Sequence, residues 1–153
     1  MMEFSHELVE ATIRHGIEAA LKRNFFVACG IVDASGRTCG VIRHAKALYV
    51  TPDFALGKAR LASAYRTSTG PMFARLQKDR PLYGATVASL NAQNQWFLAE
   101  GGAAIKLDDV KGEHHGGECV GAIGIAGCFP AAIDQEVADE VVEWFKTQAA
   151  SAR

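Results

Sequence analysis

The hydrophobic and polar positions of this chain follow two periods, and each change of period marks an element. From residue 5 to 23, Leu8, Val9, Ile13, Ile17 and Ala20 share one helical face while Glu7, Arg14, Glu18 and Lys22 share the other, the pattern of an amphipathic helix. Phe25–Asp33 is then apolar on both faces, with Phe25, Val27, Cys29 and Ile31 set against Phe26, Ala28 and Val32. A strand of that kind must be covered on both sides, which places it inside a layered sheet. Ala34-Ser35-Gly36 is a turn signal, and Thr38–His44 returns as the second strand of a hairpin.

Thr51-Pro52-Asp53 reads as a helix start, with a capping hydroxyl, proline at the first helical position and an acid in the first turn; that helix runs to about Arg66. Gly70-Pro71 restarts a shorter helix through Lys78, and residues 81–94 are mixed, with room for a helical turn or two. Strands are expected at Gln95–Ala99, Ala103–Leu107 and Glu118–Ile125, with a polar, glycine-containing loop at 108–117. In the last strand apolar residues alternate with glycine through Gly121, Gly124 and Gly127, and a helix pressed flat against it would explain the missing side chains. Pro130–Gln148 closes as a helix with Ile133, Val137, Val141, Trp144 and Phe145 opposite Gln135, Glu136, Asp139, Glu143 and Lys146. This order predicts an α/β (α+β) fold, a five-stranded, mostly antiparallel sheet between helical layers.

Composition narrows the function classes. The 153 residues are the size of one domain, read here as spanning 1–153, and no repeat or linker interrupts them. A net charge of −1 with no basic run leaves no electrostatic case for nucleic acid. The longest apolar stretch falls far short of the roughly 20 residues that a membrane-spanning helix needs. The first residues lack the basic start and apolar run of a secretion signal, so a cytoplasmic location is expected. Cys29, Cys39, Cys119 and Cys128 form no C-x-x-C pair and read as reduced thiols serving as small core residues. A nucleophilic Cys128 would need a pKa depressed by a neighbouring helix N-terminus or a histidine.

Lys58 is the residue that most demands explanation. Phe54, Leu61 and Tyr65 bracket it on a helical projection, with Ala55 and Ala62 beside them. A cation inside an apolar arc must find an anion or climb to solvent. Either it binds a ligand carboxylate at the floor of a cleft, or it is paired structurally, with Glu100 as a candidate partner. Arg66 at the end of the same helix and Arg43 on the second strand are further carboxylate-binding candidates, since the guanidinium fork suits that group; solvated surface is the competing reading. Gly101-Gly102 would let backbone N–H groups approach a ligand or oxyanion, or would simply make a tight connection. Glu100 would serve as a general base if buried. Glu113-His114-His115, with Cys119 nearby, offers imidazoles for general acid–base work or as an axial ligand to haem iron, against an exposed polar loop. Adjacent histidines in extended chain point opposite ways, so no metal site is drawn from the pair.

Five segments in order carry a resemblance: Ile31–Gly36, Ala55–Arg66, Gly101-Gly102, Gly121–Gly127 and Asp134–Ala138. Together they resemble the GlcG/HbpS-like family, the haem-degrading domain also found at the C-terminus of PduO-type proteins. The resemblance implies a profilin-like three-layer fold, homo-oligomers from dimer to octamer, and a small-molecule cleft in which haem is one possible cofactor. Val142 and Leu56, apolar outside the main stripes, are the sequence's own contribution to an oligomer surface. Three functions follow as expectations: an oligomeric pocket for haem or another anionic, carboxylate-bearing ligand; a hydrolase or isomerase on a small carboxylic acid; or an accessory structural subunit.

Overall fold

Small side chains line one face of the central sheet and bulky ones the other, and this asymmetry sets how the helices dock. The structure, a computed structural model, describes residues 4–107 and 118–151. In chain order its elements are α1 (His6–Lys22), β1 (Ala28–Asp33), β2 (Thr38–Arg43), α2 (Thr51–Tyr65), α3 (Thr69–Asp79), α4 (Pro81–Ser89), α5 (Asn91–Asn94), β3 (Gly102–Leu107), β4 (Glu118–Ala126) and α6 (Ala131–Ser151). The strands form one antiparallel sheet in the order β2-β1-β4-β3.

Strand parity explains the two faces. Ala28, Gly30 and Val32 of β1 pair with Ala126, Gly124 and Ala122 of β4 on one side, and Cys29 and Ile31 pair with Ile125 and Ile123 on the other. The bulky face is covered by α1 and α6, whose Val9, Ile13, Val137, Val141 and Phe145 complete the main core. The small face receives α2 through Ala55, Ala59 and Ala62. The helix lies in backbone contact with the sheet: a Cβ on Gly124 would run into the Ala55 carbonyl, and one on Gly102 into that of Lys58. Gly102 and Gly124 are themselves cross-strand partners, so the absence of side chains is concentrated where α2 crosses.

The sheet has four described strands rather than five. Gln95–Ala99 is not a strand: Gln95 caps α5 in the left-handed region at φ 55°, and the residues after it run across the outer face of α2. Trp96 and Leu98 join Leu61, Met72, Leu76 and Val87 in a satellite cluster there. Their apolar character serves α2 rather than a neighbouring strand. Residues 81–94 hold more helix than expected, as α4 and α5. Thr51 is the first helical residue rather than the cap, its hydroxyl donating to the Leu48 carbonyl at 2.7 Å. Val142 belongs to the main core, and Leu56 packs against the cluster under α2, so neither is left over for a partner.

Candidate functional site

Lys58 is 3% exposed on the sheet-facing side of α2. Its ammonium donates to the Ile125 carbonyl at 2.9 Å and to Oδ2 of Asp134 at 3.0 Å. The internal partner is therefore Asp134, not Glu100. Asp134 lies in the first turn of α6, where the exposed N–H groups favour a negative charge. Its second oxygen accepts from the Cys128 N–H at 2.9 Å. A buried charge of each sign thus has its own chain as counterion, and hydrogen bonds serve the remaining lone pairs.

The paired glycines belong to the same buried network. Gly101, at φ 123°, donates its N–H to Oε1 of Gln135 at 2.9 Å, and the Gly102 N–H goes to the Thr69 hydroxyl at 2.8 Å. The Gln135 amide also accepts from Gly70 at 2.8 Å and donates to the Gly102 carbonyl at 3.0 Å and to Asp139 at 2.9 Å. Both glycine amides are engaged within the protein, so polarising a substrate carbonyl would require breaking a buried bond. Burial raises the Asp139 pKa above the usual carboxylate range, opposed by the bond from Gln135.

The other candidates are dispersed. Arg43 is exposed and braces the loop after β2, donating to the carbonyls of His44, Ala45 and Ala47 at 3.3, 3.2 and 2.7 Å. Arg66 is an exposed left-handed cap on α2 at φ 55°. Glu100 is half-buried just before the network. His114 and His115 lie outside the described residues. Burial and the Asp134 charge push the Cys128 thiol up, the opposite of what a nucleophile needs. Among the described residues no cluster of three or more His, Cys, Asp or Glu could hold a metal ion.

The hollow most suited to a ligand was not singled out by sequence. Two adjoining depressions of about 370 and 420 Å³ run along the outer side of α2 and share Arg60, Gln95 and Trp96. Phe54 and Phe97, stacked at 4.3 Å, line one end. The Ala34–Gly36 turn lines the other. Arg60 is steadied by its bonds to the Gly36 carbonyl at 3.3 Å and the Thr38 hydroxyl at 3.0 Å, which leaves further N–H donors unused. The turn is fixed in its own right, with Asp33 accepting from the Ser35 and Arg37 N–H groups at 2.8 and 3.0 Å. A sequence signal lies in the Trp96-Phe97 pair, which reads as part of a strand, whereas Arg60 carries none without its spatial neighbours.

The model of the haem-degrading, HbpS-like protein family matches residues 4–143. The chain belongs to this family. Among solved structures, a PduOC–haem complex is 26% identical, with 93% of this chain and 94% of that one covered and a TM-score of 0.74. A double mutant of HbpS from Streptomyces reticuli is 23% identical over 94% and 88% of the two chains, with a TM-score of 0.75. The Klebsiella pneumoniae protein ORFY is 21% identical over 95% and 97%, with a TM-score of 0.76. The last two likenesses speak to the fold alone. No curated protein matches the chain.

Proposed function

We propose that this chain binds haem, or another planar ligand bearing carboxylates, along the outer face of α2. The observation that carries the reading is the groove in which Trp96, Phe54 and Phe97 share a wall with Arg60. Aromatic faces suit a flat macrocycle, and a guanidinium with spare donors suits its carboxylates. Membership of the haem-degrading, HbpS-like family and the likeness to the PduOC–haem complex support the same ligand class.

Lys58, Gly101 and Gly102 act in this reading as the platform beneath α2, and the ligand's anion goes to Arg60. Arg43 and Arg66 stay at the periphery. His114 or His115 would supply an imidazole to the haem iron. Leu107 and Glu118, which flank that segment, pair at the end of the sheet where the Asp33–Thr38 turn lies. Two residues lie between His115 and Glu118, a reach of at most about 10 Å. The groove is open, and a second copy of the chain closes it in a homo-oligomer. Leu48, Tyr49 and Phe129, which are 73%, 89% and 86% exposed, supply apolar surface for that contact. A hydrolase or isomerase built on Glu100 gains no support from the glycine amides, which are already engaged.

Titration of the protein with hemin, followed through the Soret band, tests the reading. A saturable, shifted band that moves again when His114 and His115 are both changed to alanine is expected. An unshifted band overturns it.

A further inference from the structure

A second hollow, of about 270 Å³, lies outside the groove, walled by Tyr65 of α2, Met72, Arg75 and Leu76 of α3, Arg80 at the α3–α4 junction, and Tyr83 of α4. It serves neither the buried network nor the groove, although the edge-on contact of Tyr65 with Trp96, ring centroids 6.0 Å apart, runs between the two. Its floor is apolar and its rim cationic. Met72 and Leu76 are buried, at 3% and 4% exposure, while Arg75 and Arg80 are exposed. Among the described residues neither arginine has a carboxylate within 4.0 Å, although Arg23, Lys58 and Lys146 each have at least one. Two guanidiniums over one depression, without a carboxylate partner among the described residues, raise the local affinity for anions.

The phenols add direction. Tyr65 and Tyr83 hold their hydroxyls 3.1 Å apart. Only one of the two protons can lie between them, so the other is free to be donated to a guest. The contact with Tyr83 pushes the Tyr65 pKa up to about 12, so the Tyr65 hydroxyl stays a donor well into the alkaline range. The volume is just below the roughly 300–1,000 Å³ of usual ligand pockets, which favours a single ring over a macrocycle. A bare oxyanion would leave the exposed ring surface of Tyr65 and Tyr83, 36% and 44% exposed, uncovered.

We propose that this hollow binds a small aromatic carboxylate, its carboxylate held by Arg75 and Arg80 and its ring lying against the exposed faces of Tyr65 and Tyr83, above Met72 and Leu76. The site is independent of the haem reading and stands or falls separately from it.

Calorimetric titration with benzoate, acetate and inorganic phosphate tests the assignment on the intact protein. Benzoate is expected to bind saturably at one site, and at least about tenfold more tightly than acetate or phosphate. The R75A/R80A double variant, whose side chains are exposed and whose fold is checked by circular dichroism, is expected to lose at least about tenfold in benzoate affinity. Tyr83→Phe is expected to weaken benzoate by a smaller factor. Absence of saturable benzoate binding overturns the proposal, as does unchanged affinity in the double variant. Phosphate binding as tight as benzoate overturns the aromatic class.

Discussion

The ammonium of Lys58 and the carboxylate of Asp134 meet at 3.0 Å across 76 residues of sequence, both sealed from solvent. Because Lys58 also donates to the Ile125 carbonyl, one side chain ties α2 to β4 and to the head of α6. The adjacent Gln135 fixes Gly101 and Gly102 from the same helical turn. The two conspicuous motifs of the sequence, the glycine pair and the Asp-Gln dipeptide, are two halves of one junction.

Breaking the ion pair from one side strands the other charge. Lys58→Met should destabilise the protein by about 3–5 kcal/mol, since Asp134 is left buried without its counterion. The double variant K58M/D134L should recover part of that loss. Urea midpoints of the three proteins check this; equal destabilisation by K58M and by the double variant would refute it.

The small face of the sheet makes a sharper steric prediction. Gly124→Ala drives a methyl group into the Ala55 carbonyl and should cost at least about 3 kcal/mol or prevent folding. Gly84→Ala, in α4, places its Cβ 3.3 Å from that of Leu76. There a gain in helix propensity of about 1 kcal/mol offsets the crowding, so stability should stay near wild type. Thermal unfolding of both variants separates the two cases.

Alkaline pH should loosen the fold through Cys29. Burial raises its pKa from the usual 9.0 to about 12. Once the unfolded thiol begins to ionise near 9.0, the unfolded chain binds fewer protons than the folded one. Stability from this group is therefore complete below pH 9.0 and is lost as the pH rises towards about 12. Tyr65, raised to about 12, acts in the same direction. Cys29→Ala should flatten the decline in unfolding free energy between these limits, which denaturant titrations at stepped pH measure directly.

Much of the architecture was legible from residue order because it rests on local pattern. The two-faced strand at 25–33, its Asp33–Gly36 turn and the glycine alternation of β4 all predicted a layered sheet with one helix pressed close. Lys58 was legible as a buried cation in need of an anion. Its partner was not, because Asp134 is brought near only by the docking of two helices onto opposite faces of the sheet. Gln95–Ala99 misled for a similar reason: Trp96 and Phe97 are apolar for the sake of α2, and an apolar run of four carries no record of what covers it. Arg60 passed unnoticed because its significance comes from the Gly36 turn and Trp96, distant in sequence and close in space.

Hemin titration of Arg60→Ala and Trp96→Ala beside the wild type probes the proposed haem-binding surface on the outer face of α2. A saturable, shifted Soret band is expected for the wild type, with an affinity at least about tenfold weaker in each variant. Wild-type affinity and an unchanged spectrum in both variants would contradict it.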